Sequence, residues 1–263
     1  MNIYFNKTKK IFFQIIVPIV LIILPFVFSD QMLNLIKKLY ESYNGTTIDA
    51  VITNTIVKII IAVIIYIIIK KYNSKKEFLN GDVYGDFPML FYYLAKCLGY
   101  GNVSLIRKPY DIQFKLLKNE LFNIVDDKIE TDEEVNVVID KGDFKFSINM
   151  RECNLVISDT YPITKEQLPN SKKNLDTIWI KREKSAKAPR VYSPKLINAV
   201  NECVATIEQT GAKINLFLTT NTKNTEKIVK DIFMKGDRTK YEITIFLQNA
   251  DSGRTFKEKG KKV

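Results

Sequence analysis

The sequence predicts an α/β cytoplasmic domain with a mainly parallel sheet, flanking helices and an added β-hairpin, behind an N-terminal two-helix transmembrane hairpin. Two observations lead to this fold class. Two apolar runs, each close to the roughly 20 residues that cross a bilayer as a helix, lie within the first 76 residues. In the last third of the chain, strand-like and helix-like periodicities alternate, which is typical of β-α-β units with parallel strands.

The apolar runs extend from Ile11 to Phe28 and from about Val51 to Ile69. Each is too long for the apolar core of a signal peptide, and prolines within the first run are tolerated in a bilayer. Lysines precede the first run and follow the second, whereas the connector between the runs carries two lysines against three acidic residues. The positive-inside rule therefore predicts a multi-pass protein of the inner (cytoplasmic) membrane, in contact with the lipid bilayer, with both termini in the cytoplasm.

The charge is distributed unevenly along the 263 residues, whose net charge is +11. Residues 1–76 carry ten basic and three acidic residues, and the tail 251–263 carries five basic and two acidic ones. The body between them is almost neutral, which excludes the broad basic surface that a nucleic-acid polymer requires. We therefore expect a two-span anchor over 1–76, a cytoplasmic α/β domain over 77–250 and a basic tail over 251–263.

The chain contains no histidine, which removes Ser-His and Cys-His pairs and the usual zinc sites. It also lacks a phosphate-binding P-loop, and its three cysteines form no CxxC pair. The acidic run Asp126–Glu134 is typical of a solvated loop rather than of a metal site. The sequence thus predicts no catalytic residue, metal or cofactor, although Asp159 or Glu183 could still serve a nucleotide-processing enzyme.

Helix and strand signals follow the second apolar run. The segment from Asp86 to Gly99 predicts a helix with Asp86 as N-cap and Pro88 in the first turn, and its apolar character on most sides indicates a core or subunit interface. A short strand is predicted for Asn102 to Lys108. The segment Asp111 to Val125 favours a helix, although two strands around Lys118-Asn119-Glu120 also fit. Alternation around a central glycine predicts a β-hairpin over Val135 to Met150.

The last third is predicted to alternate between strands and helices. Strands are expected at Leu155–Thr160, Asp176–Glu183, Lys213–Thr220 and Tyr241–Gln248. A helix is predicted after Ser193, its N-cap, with Pro194 at the first helical position and Gly211 beyond its end. A second helix is predicted from Asn224 to Gly236, so that the strands become mainly parallel.

Two loops are predicted at the carboxyl ends of these strands, where parallel sheets bind ligands. The loop Lys181–Ser193, counted through Lys195, carries six basic residues and one acidic residue. The other loop, Thr219–Thr225, offers hydroxyls and amides before a helix N-terminus. Each alone fits an ordinary surface loop or an N-cap, but together they predict an anion site.

The segment Arg190-Val191-Tyr192-Ser193 resembles the lid of STING-like cyclic-dinucleotide receptors, in which an Arg-x-Tyr pair folds over the ligand. In the same order along the chain, PMLFYYLAKCL is similar to the family helix whose tyrosine stacks on the ligand, and LFLTTNT is similar to the strand that ends in a ligand-contacting threonine. The ligand-binding residues that this resemblance implies are Tyr92, Tyr93, Arg190, Tyr192, Thr219 and Thr220. The chain departs from the family at Phe217, where a glutamate is common, in its two spans instead of four, and in the hairpin at 135–150.

The resemblance implies a membrane-anchored receptor that binds a cyclic dinucleotide between subunits of a homodimer or higher homo-oligomer. Two-span effectors of this layout in bacterial anti-phage systems damage the membrane instead of catalysing a reaction. Two other classes stay open, a membrane scaffold such as a secretion or envelope-assembly subunit, and a membrane-bound nucleotide-processing enzyme.

Overall fold

The computed structural model describes residues 2–27, 38, 42, 50–80, 83–125, 128–142, 151–185, 188–234, 242–249 and 252–263. These residues divide into two compact units, which we treat separately. The first unit comprises Met1–Arg107 and Phe122–Val125, and the second comprises Lys108–Leu121 and Asp126–Val263. Whether the functional domains follow the predicted limits at residues 76 and 250 stays a prediction.

The first unit contains the apolar helices: α1 (Asn2–Ile11), a π-helical turn (Phe12–Ile16), α2 (Val17–Val27) and α3 (Ala50–Asn73). Within the part of the chain that the structure describes, one helical stretch, Lys7–Val27, is long and apolar enough to cross a membrane. Helix α2 packs against α3. Their connection, residues 28–37, 39–41 and 43–49, lies outside the described residues. The transmembrane hairpin and the second span therefore stay predictions.

A small parallel sheet completes the first unit with strands β1 (Glu77–Phe78), β2 (Asn102–Ser104) and β3 (Asn123–Val125), in that spatial order. Only β2 corresponds to a strand that the sequence predicts. Helix α4 (Met89–Cys97) confirms the predicted aromatic helix, but Asp86 is not its N-cap. Pro88 holds that position without a side-chain cap, and Asp86 forms an ion pair with Lys7.

Close backbone approach and one polar side chain hold the first unit together. Gly99 has φ +93°, and a Cβ added there would lie 2.6 Å from Lys70 Cα. Only glycine fits both that conformation and that contact. Gln14, the polar residue within the first apolar run, accepts a hydrogen bond from the Leu79 N–H at 3.2 Å. This bond explains why an amide is tolerated among apolar side chains.

The second unit is built on a sheet with the strand order β4-β6-β5-β7-β8-β9. The strands are β4 (Val137–Asp140), β5 (Glu152–Ser158), β6 (Thr177–Arg182), β7 (Lys213–Leu218), β8 (Ile243–Phe246) and β9 (Lys261–Lys262). The four central strands are parallel, as the β-α-β pattern predicts, and the edge strands β4 and β9 are antiparallel to their neighbours. Strand β4 is the first half of the predicted hairpin and pairs with β6; the second half lies at residues 143–150, outside the described residues. Strand β9 forms within the predicted basic tail.

The helices of the second unit are α5 (Tyr110–Lys118), α6 (Pro194–Glu208) and α7 (Thr222–Lys227), which continues as a π-helical turn (Ile228–Phe233). Helix α5 ends before β3, so the ambiguous segment from Asp111 to Val125 is part helix and part strand. Ser193 is the N-cap of α6, as predicted, and accepts a hydrogen bond from the Leu196 N–H at 3.3 Å. Phe217 lies in the core, where its ring stacks on Phe246 at 4.7 Å.

Candidate functional site

Polar side chains converge at the carboxyl ends of the central parallel strands of the second unit. Asp159 directly follows β5, and Arg182 is the last residue of the neighbouring strand β6. Their side chains form an ion pair in which Asp159 is 0% and Arg182 2% exposed. A buried pair of this kind needs further hydrogen bonds to offset the loss of hydration. The surrounding residues supply them.

Arg182 anchors the loop that follows its own strand. Its guanidinium donates hydrogen bonds to the backbone oxygens of Asp159 at 3.2 Å, Glu183 at 3.1 Å and Pro189 at 3.0 Å. The planar fork of arginine suits such simultaneous contacts. The basic loop is thereby tied to the end of the sheet at residues 183 and 189.

The second oxygen of Asp159 occupies the N-terminal end of α7. It accepts hydrogen bonds from the Asn221 backbone N–H at 3.0 Å, from Asn221 Nδ2 at 3.2 Å and from Asn224 Nδ2 at 2.9 Å. A carboxylate is the kind of group that a helix N-terminus favours. An external anion at this terminus would therefore have to displace Asp159.

Thr219 and Thr220, which the sequence predicts as ligand contacts, are buried beside this network. The Thr219 hydroxyl, which is fully buried, donates to the Tyr161 backbone oxygen at 2.8 Å and accepts from the Asp159 N–H at 3.1 Å. The Thr220 hydroxyl lies 2.7 Å from the Thr225 hydroxyl. The Thr219 hydroxyl thus ties the end of β7 to the loop after β5, and the Thr220 hydroxyl contacts α7. A direct ligand contact would require an exchange of these partners.

The side chains of the Arg190-Val191-Tyr192 segment alternate in exposure. Val191 is buried, and its backbone oxygen accepts hydrogen bonds from Asn221 Nδ2 at 2.8 Å and Asn224 Nδ2 at 3.1 Å. Arg190 is exposed and Tyr192 is partly exposed. Arg190 and Tyr192 are thus the solvent-accessible side chains on either side of a buried residue.

Tyr192 is held in place by its backbone. Its N–H donates to the Glu130 backbone oxygen at 2.8 Å, and its own oxygen accepts from the Asp132 N–H at 2.9 Å. These bonds form a parallel bridge between Tyr192 and Thr131. The segment is therefore held by hydrogen bonds to the α7 turn through Val191 and to the segment around Thr131 through Tyr192.

A cleft of about 650 Å³ opens beside this network, between the loop after β5 and the loop after β6. From the first loop it is lined by Ser158, Asp159, Thr160, Tyr161 and Pro162, and from the second by residues 181–185, 188 and 189. Exposed Lys181 and Lys184 provide positive charge on the second wall, against one exposed carboxylate, Glu183. The cleft combines cations, hydroxyls and an aromatic ring, the groups that bind phosphate esters and bases.

Tyr161 connects the cleft to further cations. Its hydroxyl donates to Gln248 Oε1 at 2.6 Å, and the Arg254 guanidinium lies 4.3 Å from its ring centre. Burial raises the pKa of Tyr161, and the positive charges of Arg254 and Arg190 oppose that rise. Arg190 thus lies within electrostatic reach of the ring that lines the cleft.

The whole chain, residues 1–263, matches the model of the SMODS- and Ubiquitin system-associated 2TM effector domain, SUa-2TM. The chain belongs to this family. SUa-2TM domains are the membrane effectors of cyclic-oligonucleotide signalling systems that defend against phage. Membrane anchoring of the chain follows from this membership, together with the apolar stretch Lys7–Val27.

Two solved structures of an Acinetobacter baumannii Cap4 SAVED/CARF-domain receptor show weak similarity to this SUa-2TM chain. The form with 3′3′3′-cAAA has 10% identity over 70% of this chain and 45% of its own, with a TM-score of 0.38. The form with 2′3′3′-cAAA has 8% identity over 67% and 44%, with a TM-score of 0.40. This chain thus spans less than half the length of either, and similarity of this degree assigns neither fold nor ligand. No curated protein sequence matches the chain significantly.

The predicted ligand residues of the SUa-2TM chain divide between the two units. Arg190, Tyr192, Thr219 and Thr220 belong to the second unit, and none of these four residues is among those that line the cleft. Tyr92 and Tyr93 belong to α4 in the first unit, where Tyr92 is buried with its hydroxyl bonded to the Gly85 backbone oxygen at 2.9 Å. Tyr93 is 44% exposed. Binding of a ligand by these six residues stays a prediction.

Sequence reasoning missed two groups of the site. It considered Asp159 only as a possible enzyme residue and did not pair it with Arg182. The rule that selected the two loops could have found this pair, because both residues stand at the carboxyl ends of neighbouring parallel strands. Arg254 carried no local signal, since it reaches Tyr161 from a part of the chain 93 residues away.

Proposed function

We propose that this SUa-2TM chain is a membrane-anchored receptor that binds a cyclic oligonucleotide, in its simplest form a cyclic dinucleotide, in the cleft of the second unit. The observation that carries the proposal is the cleft itself, which opens at the carboxyl ends of parallel strands. Exposed Lys181 and Lys184 line it, and exposed Arg190 directly follows the lining residue Pro189. Its volume of about 650 Å³ falls within the roughly 300–1,000 Å³ of small-molecule sites.

The chemistry of the cleft suits a ligand with two phosphodiester anions and two flat bases. The exposed lysines and Arg190 supply charge for the phosphates, and an arginine can hold a phosphate with two parallel hydrogen bonds. Tyr161 and Tyr192 supply faces for base stacking. In this proposal Arg190 and Tyr192 contact the ligand as in STING-like receptors, from the fixed backbone described above.

The buried Asp159 and Arg182 form the frame of this site instead of its reactive centre. Both oxygens of the Asp159 carboxylate accept hydrogen bonds from protein groups, and the side chain is fully buried. A general base needs an oxygen within reach of the substrate. The engaged carboxylate therefore supports a binding function, and we propose that the chain is not an enzyme.

The output that we propose is assembly of a homo-oligomer and damage to the cell's own membrane. The lysines at both ends of the apolar segments support two spans with both termini in the cytoplasm. Vesicles that contain the full chain and a trapped dye provide the test. A ligand that binds the protein should release the dye, and retention of the dye at saturating ligand would contradict this output.

Calorimetric titration of the full chain in detergent with a panel of cyclic dinucleotides and trinucleotides tests the binding step. A charge-assisted hydrogen bond contributes about 1.5–3 kcal/mol, so Arg190→Ala should weaken binding by about 10- to 100-fold. Tyr192→Ala should cost a similar amount because a stacked base contributes about 1–3 kcal/mol, whereas Tyr192→Phe should bind almost as wild type.

Lys213→Ala is the matched control for charge, because Lys213 begins β7 at the opposite, amino end of the same sheet. This variant should bind the ligand as tightly as wild type. No heat with any cyclic oligonucleotide would remove the receptor assignment and favour a membrane scaffold. Wild-type affinity of the Arg190→Ala protein would show that Arg190 does not contact the ligand and would contradict a binding site at this cleft.

A further inference from the structure

The outward face of α4 carries apolar side chains. Leu90 is 63% and Tyr93 44% exposed, and Cys97 is exposed as well. The spacing of these residues, three and four apart, places them on one side of the helix. We call the surface formed by Leu90, Tyr93 and Cys97 the juxtamembrane face. The opposite side of α4 is buried through Tyr92 and Ala95.

Helix α4 packs directly against the apolar helices of its own unit. It contacts the π-helical turn Phe12–Ile16, which lies within the apolar stretch Lys7–Val27. The Tyr66 hydroxyl on α3 donates to the Cys97 backbone oxygen at 3.1 Å, and Gly99 abuts the backbone of Lys70. The contacts of α4 therefore reach the apolar residues of both helices and do not stop at their charged ends.

The depth of these contacts can be estimated along α3. Tyr66 precedes Lys70 by four residues, which corresponds to about 6 Å of helix. With Lys70 at the charged boundary of the bilayer, the end of α4 lies close to that boundary, because Cys97 bonds to the hydroxyl of Tyr66 and Gly99 abuts Lys70 itself. Interfacial helices sit within roughly 5–10 Å of such a boundary. On the other side, the turn at Phe12 begins two residues, or about 3 Å of helix, after Lys10.

Exposed basic side chains of the first unit fit the same surface. Exposed Lys9, Lys70, Lys71 and Lys96 belong to this unit, and basic side chains beside an apolar face favour anionic headgroups. Tyrosine is enriched at the boundary between lipid and water, where its ring and hydroxyl can both be satisfied. We propose that the juxtamembrane face of α4 is a lipid-contacting surface that lies in the headgroup region of the bilayer in which the chain is anchored.

The native cysteines make this proposal measurable. Cys97 is exposed, whereas Cys153 and Cys203 are buried, so a bimane label on the folded full chain reports on the juxtamembrane face. The labelled chain is reconstituted into vesicles of phosphatidylethanolamine and phosphatidylglycerol. Lipids brominated near the headgroup should quench the label more strongly than lipids brominated near the methyl end of the chain. Aqueous iodide should quench it several-fold less than it quenches a free bimane adduct.

A matched pair of variants separates lipid contact from other causes of shielding. Leu90→Asp should reduce quenching by the shallow brominated lipid and increase quenching by iodide. Val138→Asp places the same substitution on the exposed apolar residue of β4, in the second unit, and should leave both unchanged. Trp179 fluorescence verifies that the second unit stays folded in each variant.

Each alternative result overturns the proposal. Strong iodide quenching without lipid quenching would show that the face is in water. Weak quenching by both agents, together with cross-linking through Cys97 in the unlabelled chain, would show that a second copy of the chain covers the face, as the sequence predicts for this helix. Preferential quenching by the deep brominated lipid would place α4 in the hydrocarbon core instead of the headgroup region.

Discussion

The two units of the chain bury and expose opposite kinds of groups. Among the described residues of the second unit, Val138 is the one large hydrophobic side chain classed as exposed. That unit instead buries an ion pair and a set of asparagines and threonines. The first unit, apart from its apolar helices, exposes Tyr84, Leu90, Tyr93 and Val125.

This difference shows where each unit derives its stability and what surroundings it suits. A surface with few exposed apolar groups and a buried polar network is typical of a domain in water that presents a specific site. The first unit is fastened by close backbone packing at glycines and leaves apolar side chains outside. Substitutions in the buried network should therefore act on the second unit, and substitutions at the glycine contacts should act on the first.

The largest effect should come from Asp159→Ala. The substitution leaves Arg182 charged in a site where its side chain is 2% exposed. Removal of one partner of a buried pair costs about 3–5 kcal/mol. It also removes the carboxylate that caps α7 through Asn221 and Asn224. Urea unfolding of the full chain, followed by the fluorescence of the single tryptophan, Trp179 on β6, should show a loss of this size.

Asp231→Ala is the control for charge removal. Asp231 pairs with Lys227 on the surface of the same unit, where its side chain is 50% exposed. Exposed pairs contribute about 0–1 kcal/mol, so the midpoint should hardly move. If Asp159→Ala behaved like this control, the buried network would not be what stabilises the second unit.

Gly99→Ala should produce the next largest effect, in the first unit. An alanine at φ +93° would be strained, at a cost of about 1–3 kcal/mol, and its Cβ would meet the backbone of Lys70. Hydrogen exchange of the amides in α4 and β2 should accelerate, because the contact that holds these elements to α3 is lost. Exchange in the central strands of the second unit should stay as in wild type.

Gly211→Ala isolates the conformational part of that effect. Gly211 has φ +70°, but a Cβ added there meets nothing within 4 Å. The Gly211→Ala substitution should therefore destabilise the end of α6 by about 1 kcal/mol without altering amide hydrogen exchange in α4. If either variant accelerated amide hydrogen exchange equally in both units, the two units would unfold together and would not be stabilised separately.

The sequence predicts the second unit well because its signals are local. Ser193 caps a helix and Pro194 starts it. The alternation of strand and helix segments from β5 to β8 predicts parallel strands even though the pairing partners are unknown. The first unit is harder to predict, because β1 and β3 have two and three residues and no periodicity of their own. These strands exist because β2 pairs with both, which depends on contacts between distant parts of the chain.

The candidate site also has one part that local sequence signals predict and one part that depends on contacts between distant segments. The two loops at the sheet edge could be located from the order of strands and helices alone. The sequence could not show that Asp159 fills the helix terminus at Asn221, because nothing in the local pattern of either segment indicates the other. A motif of hydroxyls and amides predicts a site for an anion equally well when the anion is the protein's own carboxylate.

The smallest effect concerns the pH dependence of the second unit at the amino end of β5. Glu152 accepts hydrogen bonds from Lys172 Nζ at 2.7 Å and Asn215 Nδ2 at 3.2 Å. The bond from Lys172 holds the pKa of Glu152 below its ordinary value of 4.5, against the opposing effect of burial. The folded state thus binds the proton less tightly than the unfolded state does. The ionised carboxylate therefore stabilises the fold fully above pH 4.5, and this contribution is lost as the pH falls through the lowered pKa.

Because the Glu152 side chain is 34% exposed, solvent screening limits the contribution to below about 1 kcal/mol. The difference in unfolding midpoint between wild type and Glu152→Gln should accordingly be constant from neutral pH to about 5 and shrink under more acidic conditions. In a Lys172→Met background the same substitution should make little difference at any pH, and a difference that persisted there would assign the pKa shift to another group.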